Sequence, residues 1–265
     1  PAPLETLKDR RKAMTAANLK LSYRDPINMI RGQGSTLIDA DGRRFLDAYN
    51  NVPHVGHAHP HVAQRITEQV QRLSTNTRYL SEQHLDYVEH LLSLFPDEFD
   101  TCFLVNSGSE ANEVAMRLAG AYTGRKDMAV SEVGYRGITP KALDVSHHKF
   151  AGAGGQGQAD RVHVLPIPNT FSGPFQGPDA AQKYADEAAD LIQKIGGTDH
   201  TLAGCLLEIF PSVGGQLIPP NGYLKSLEGA VRAQGGLMIA DEVQTGLGRL
   251  GAHFWAFEHQ GLHPD

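Results

Sequence analysis

The chain has 265 residues, 40% hydrophobic and 20% charged, with a formal net charge of −6. That length suits one large α/β domain or a domain and a half. The acidic balance and the lack of a basic block argue against nucleic acid as a main partner, and no apolar run approaches the ~20 residues of a membrane span. No signal peptide opens the sequence. Cys102 and Cys205 both sit in apolar runs, as small buried thiols do in a reducing compartment. A cytoplasmic location is therefore expected. There is no initiator Met, and the sequence stops at "GLHPD" directly after a periodic segment, which reads as a piece of a longer protein.

"RGQGSTLIDADGRRFLDAYNN" predicts two short strands around an Asp41-Gly42 turn. "HPHVAQRITEQVQRL" predicts a helix with Pro60 in its first turn and Val62, Ile66, Val70 and Leu73 on one face. "SEQHLDYVEHLLSLFP" predicts another, stopped by Pro96. A strand "CFLVN", a turn "SGSE" and the helix "ANEVAMRLAGAYTG" follow, the helix closing at Gly124. The strand "MAVSEV" leads to a Gly-Tyr-Arg-Gly turn. Residues 147–160 lack periodicity and read as an exposed loop. The strand "RVHVLPIP", the helix "DAAQKYADEAADLIQKI", the strand "LAGCLLEIF", the helix "YLKSLEGAVRAQG" and the strand "GLMIADEV" complete the order. Alternating strands and helices imply an α/β fold with a mostly parallel sheet and ligands at the carboxyl ends of its strands.

Four of those strand ends carry chemistry. Ser107, Gly108 and Ser109 enter a helix whose first N–H groups lack internal partners, which suits either a serine N-cap or a phosphate cradle. Tyr135 follows the next strand, as an ordinary loop aromatic or as a flat cover for a planar ring. Asp241 ends an apolar strand, and a buried carboxylate there must be paired or protonated. Glu208 ends the neighbouring apolar run. For both acids a salt bridge or helix cap competes with a ring N–H as the partner. Pyridoxal 5′-phosphate (PLP) offers all three handles: an anion, a planar ring and a ring N–H.

"NSGSEANE", "ADEVQTGLGRLG", "GHAHPHV" and "GGQLIPPNGYL" together resemble the class III aminotransferases of the type I PLP fold. The resemblance covers essentially the whole chain. It implies residues 1–55 as part of a small domain and 56–265 as the large PLP-binding domain. It also implies a cofactor phosphate at Ser107, Gly108 and Ser109, Tyr135 stacked on the ring, and Asp241 paired with the pyridine nitrogen. Val243 packs under the ring, Gln244 reaches its 3′ oxygen, Glu208 lines the site and Glu242 is structural. The Gly246–Gly251 loop is expected near a partner subunit in a homodimer or higher oligomer.

Two departures stand out. The family usually has His where this chain has Arg136, and the lysine that anchors the cofactor lies some way beyond a Pro-Asp such as Pro264-Asp265, a position that none of the lysines in this sequence matches. His54, His57, His59 and His61 match no common zinc spacing, so no metal is expected.

"DAYNNVPHVGHAHPHV", "LSTNTRYLSE" and "GAHFWAFEHQG" resemble the branch that holds ethanolamine-phosphate phospho-lyases and alanine–glyoxylate aminotransferases. The expected activity is elimination of phosphate from a phosphorylated amine. Transamination of an amine or amino acid is the alternative, and a non-catalytic PLP-fold piece is the second. The expected contacts for a substrate phosphate are Arg78 and Arg136, since arginine suits bidentate phosphate binding, with Asn50 as a weaker polar candidate. A surface or interface salt bridge is the competing reading of Arg78.

Overall fold

The structure is a computed structural model that describes residues 3–16, 18–50, 52–196 and 201–265. Two compact units divide the chain, Pro1–Glu82 and Gln83–Asp265. The expected boundary at 55/56 falls inside the first.

The first unit opens with helix α1 (Leu4–Met14), which buries none of its residues. A three-stranded antiparallel sheet follows in the order β1 (Met29–Gln33), β2 (Thr36–Asp39), β3 (Arg44–Leu46). The expected hairpin is the β2–β3 pair; β1 is an additional strand, and Asn51 of the predicted stretch lies outside the described residues. Helix α2 (Pro60–Arg72) begins where expected, with Pro60 in its first turn. Its apolar stripe Val62, Ile66, Val70 is exposed. His57 Nε2 lies 2.6 Å from Asp47 Oδ2, and its backbone bridges to Gly34.

Helix α3 (Glu82–Leu92) leads into the second unit. Helix α4 (Gly108–Thr123) starts on the Ser107 cap and ends at Gly124, whose φ of 69° is the left-handed conformation that glycine tolerates. Then come β4 (Asp127–Ser131), α5 (Pro140–Asp144), α6 (His147–Phe150), β5 (Val162–Leu165), α7 (Ala180–Gly196), β6 (Leu202–Glu208), α8 (Tyr223–Ala233), β7 (Leu237–Asp241) and α9 (Ala256–His259). The four strands form a parallel sheet in the order β5-β4-β6-β7.

Burial on both faces explains why these strands read as continuous apolar runs. On one face Ala129, Cys205, Leu207 and Met238 pack with Ile192 of α7 and Leu224, Leu227 and Val231 of α8. On the other, Met128, Val130, Ala203 and Leu206 pack with Met116 of α4 and Phe150 of α6. Burial raises the Cys205 thiol to about 12, so it stays protonated.

Two expectations are corrected. "CFLVN" is not a strand: residues 102–106 join no sheet, and Phe103 is 62% exposed. A strand needs a neighbour for its N–H and C=O groups. The outward N–H and C=O of Met238 on β7 are instead taken by Asp265, through its Oδ2 and its own N–H, each at 2.9 Å. Residues 147–160 are not all loop either. The first four form α6, because Phe150 is buried and the Val133 N–H donates to His147 Nδ1 at 3.1 Å.

Leu227 is fully enclosed between α8 and the sheet. Leu227→Ala should cost about 2–5 kcal/mol of stability, the usual range for such a truncation. Urea unfolding of the full-length protein checks this, and an unchanged midpoint would contradict the packing described.

Candidate active site

The site grows from the carboxyl ends of β4, β6 and β7 and from the first turn of α4. Register puts Glu208 directly beside Asp241 on the adjacent strand. Two acids at neighbouring strand ends need positive or hydrogen-bonding partners. The principal one is Arg136, from the turn after β4.

Arg136 is only 1% exposed. Its guanidinium pairs with Glu208 Oε1 and donates to Ser131 Oγ at 3.1 Å and to the Leu206 carbonyl at 3.3 Å. Its backbone N–H donates to Ser146 Oγ at 2.7 Å. The sequence offers this side chain to a substrate phosphate; the structure encloses it instead. Glu208 in turn accepts from the Tyr135 N–H at 2.9 Å and, through its other oxygen, from the Ser212 N–H at 3.0 Å. Glu208 and Arg136 therefore fix the turn that carries Tyr135. The Tyr135 ring is partly exposed, with Lys149 Nζ 5.4 Å from its centroid.

Asp241 is buried. Asn112 Nδ2 donates to its Oδ2 at 2.9 Å and the Val243 N–H to its Oδ1 at 3.1 Å. Burial pushes its carboxyl pKa up from the ordinary value; Arg136, then Asn112 and Val243, pull it down. Asn112, which the sequence does not single out, also donates to the Arg136 carbonyl at 3.1 Å. Its only sequence signal is a polar residue on the helix that follows the Ser-Gly-Ser turn.

At the start of α4, Ser107 Oγ accepts from the Glu110 N–H, and Glu110 Oε2 accepts from the N–H of Asn106, just before the cap. The N–H groups of Gly108 and Ser109 stand in the first turn, where a helix supplies no partner. Ser109 Oγ accepts from the Ile138 N–H at 3.1 Å. A Cβ at Gly108 would lie 2.7 Å from Val243 Cγ2, so glycine lets Val243 rest on this turn. Val243 is 69% exposed, and Gln244 Oε1 is buried with no hydrogen-bond partner among the described residues.

Glu242 faces away from this set. It accepts from Thr245 Oγ1 at 2.8 Å and from the Phe257 N–H at 2.7 Å, which closes the loop between β7 and α9. Gly246 in that loop lies against Trp255 of the same chain. Asn50 and Arg78 belong to the first unit. Asn50 donates through Nδ2 to Asp47 Oδ2 at 3.0 Å; the exposed Arg78 donates its backbone N–H to Asn76 Oδ1 at 3.0 Å.

One end of the second unit's site thus offers N–H donors to an anion. The other offers a carboxylate to a cationic N–H, and the orphaned Gln244 oxygen is available to a further donor. A phosphorylated, nitrogen-containing aromatic ring fits that set.

The family model for class III aminotransferases matches residues 20–265. The chain belongs to the class III aminotransferase family. This class III chain is 42% identical over 98% of its length to an alanine–glyoxylate aminotransferase 2-like protein of Drosophila melanogaster, covering 54% of that protein. It is 37% identical over 98% of its length to an ethanolamine-phosphate phospho-lyase homolog of Caenorhabditis elegans, covering 59%. A solved phospholyase from Arthrobacter, in complex with phosphoethanolamine, superposes with a TM-score of 0.89 at 35% identity, over 97% of this chain and 61% of that one. The fold is that of the type I PLP enzymes. The chain spans about half the length of the curated relatives it matches. No helix among the described residues is long and apolar enough to cross a membrane.

The raised pKa of Asp241 has a consequence for stability. The folded chain holds this proton more tightly than the unfolded chain, so the contribution is present at low pH. It is lost as pH rises through the unfolded value of 3.8 toward the raised folded one. In cofactor-free protein, Asp241→Asn should therefore gain in urea midpoint relative to wild type as pH rises above 3.8. A gap that stays constant with pH would contradict this account.

Proposed function

We propose that the full-length protein is a PLP-dependent phospho-lyase that acts on O-phosphoethanolamine or a related phosphorylated amine. The carbon–oxygen bond to phosphate breaks and, with water, the products are an aldehyde, ammonia and inorganic phosphate. The observation that carries this reading is the likeness to the phospholyase solved with phosphoethanolamine, over nearly all of this chain. Transamination is the second reading, favoured by the 42% identity to an alanine–glyoxylate aminotransferase 2-like protein.

When bound, PLP supplies an electron sink conjugated to the substrate's amine carbon. In this proposal the N–H groups of Gly108 and Ser109, with the hydroxyls of Ser107 and Ser109, hold the cofactor phosphate at the positive end of α4. Asp241 keeps a proton on the ring nitrogen. The raised pKa of the bare carboxyl fits, because a cationic N–H is the partner its burial lacks. Tyr135 covers one face of the ring, Val243 lies under the other, and the Gln244 amide reaches the 3′ oxygen. Glu208 and Arg136 hold the Tyr135 turn. This leaves Arg78, with Asn50, as the proposed hold on the substrate phosphate. A homodimer or higher oligomer and a cytoplasmic location belong to the same proposal.

The test is product analysis of full-length protein with phosphoethanolamine. Free phosphate and acetaldehyde are expected, and an amino group passed to a keto acid without phosphate release would establish the transaminase. Arg78→Ala should lower kcat/KM for phosphoethanolamine about ten- to a hundred-fold, since a charged hydrogen bond is worth about 1.5–3 kcal/mol. It should spare an amine that lacks phosphate, and equal losses on both would remove Arg78 from the phosphate site.

A further inference from the structure

Helix α4 touches the site in more than one place. Its first turn carries Gly108 and Ser109, and its second carries Asn112, which is buried. The Asn112 amide nitrogen donates to Asp241 Oδ2 at 2.9 Å and to the Arg136 carbonyl at 3.1 Å. Both partners are acceptors only, a carboxylate and a peptide oxygen, so the chemistry itself dictates that the nitrogen and not the oxygen faces them. Each amide hydrogen has one acceptor.

The acceptors come from distant parts of the sequence. Asp241 ends β7, and Arg136 lies in the turn after β4 beside Tyr135. Ser109 ties the same turn to α4 a second time, accepting from the Ile138 N–H, and Gly137 packs on Ser109 too closely to admit a Cβ. One helix therefore fixes the anion-binding first turn, the strand-tip carboxylate and the aromatic turn relative to one another. Arg136 and Glu208 brace the turn from the sheet side, but neither donates to Asp241.

We propose that Asn112 is a positioning residue: its single amide holds the Asp241 carboxylate and the Tyr135–Arg136 turn in one register, so that the ring nitrogen's partner and the ring's cover meet the same cofactor. The proposal rests on the reading of Asp241 and Tyr135 given under Proposed function. Its chemistry makes a sharp distinction between two variants. Asn112→Asp keeps the shape but sets a second carboxyl against Asp241, and two carboxylates at hydrogen-bond distance must share a proton. Asn112→Leu removes both donors and leaves two buried acceptors unpaired.

The experiment uses full-length protein freed of cofactor. PLP affinity is titrated by absorbance, and the spectrum of the bound cofactor is followed against pH, with thermal unfolding of the cofactor-free forms alongside. Both variants are expected to bind PLP about ten- to a hundred-fold more weakly, the cost of one or two lost hydrogen bonds to charged or buried groups. Asn112→Asp should in addition move the pH midpoint of the bound-cofactor spectrum. Inorganic phosphate should still compete for the cradle in both, because the first turn of α4 is untouched.

Wild-type PLP affinity and an unmoved pH midpoint in Asn112→Asp would overturn the proposal, even if thermal stability fell, since a merely structural residue would behave that way. Should Asn112→Leu fail to fold, the nearly isosteric Asn112→Asp decides between the two outcomes. If Asp241→Asn changes the bound spectrum and the Asn112 variants do not, this inference alone fails. If wild type takes up no PLP, the reading of the site falls and this inference with it.

Discussion

A carboxylate buried at the tip of a parallel strand is the constraint around which the second unit is organised. Asp241 cannot stay ionised there unaided. The structure answers with an amide from α4, an N–H from Val243 and the field of Arg136. Arg136 is itself a buried charge and takes Glu208 as its ion partner. Such a pair adds little stability against an apolar replacement, and breaking it is costly. Its value here is geometric, because Glu208 Oε1 also accepts the Tyr135 N–H and so fixes the turn at one point. The three strand ends are locked together through charges that all depend on one another.

Much of this was legible in the sequence, for identifiable reasons. Strands β4 to β7 are buried on both faces and read as apolar runs. Helices α7 and α8 carry buried stripes at helical spacing. Asp241 and Glu208 drew notice because acids seldom end apolar strands without a use. What was missed lacks such local signals. Helix α1 buries no residue and has no stripe to betray it. Helices α5 and α6 are one-turn pieces, and Phe150 of α6 is buried against Met128 and Val130 of the sheet, a neighbour that the local sequence does not show. The run "CFLVN" has strand composition, but composition does not provide a ladder neighbour.

The site residues divide in the same way. Ser107, Gly108, Ser109, Tyr135 and Asp241 sit at punctuation between elements, where a sequence shows its chemistry. Asn112 lies inside a helix, and its acceptors are 24 and 129 residues away in sequence. Arg136 stands where the resemblance leads one to expect histidine, and charge argued for a place facing solvent or substrate. Only strand register, which sets Glu208 next to Asp241, shows why a guanidinium belongs inside.

The central claim is that Asp241 serves as the partner of a protonated ring nitrogen. It is tested most directly by the 15N chemical shift of PLP labelled at the pyridine nitrogen and bound to full-length protein. The account predicts a protonated nitrogen in wild type across neutral pH and an unprotonated one in Asp241→Asn. An unprotonated nitrogen in wild type, or the same protonated shift in both proteins, would contradict it.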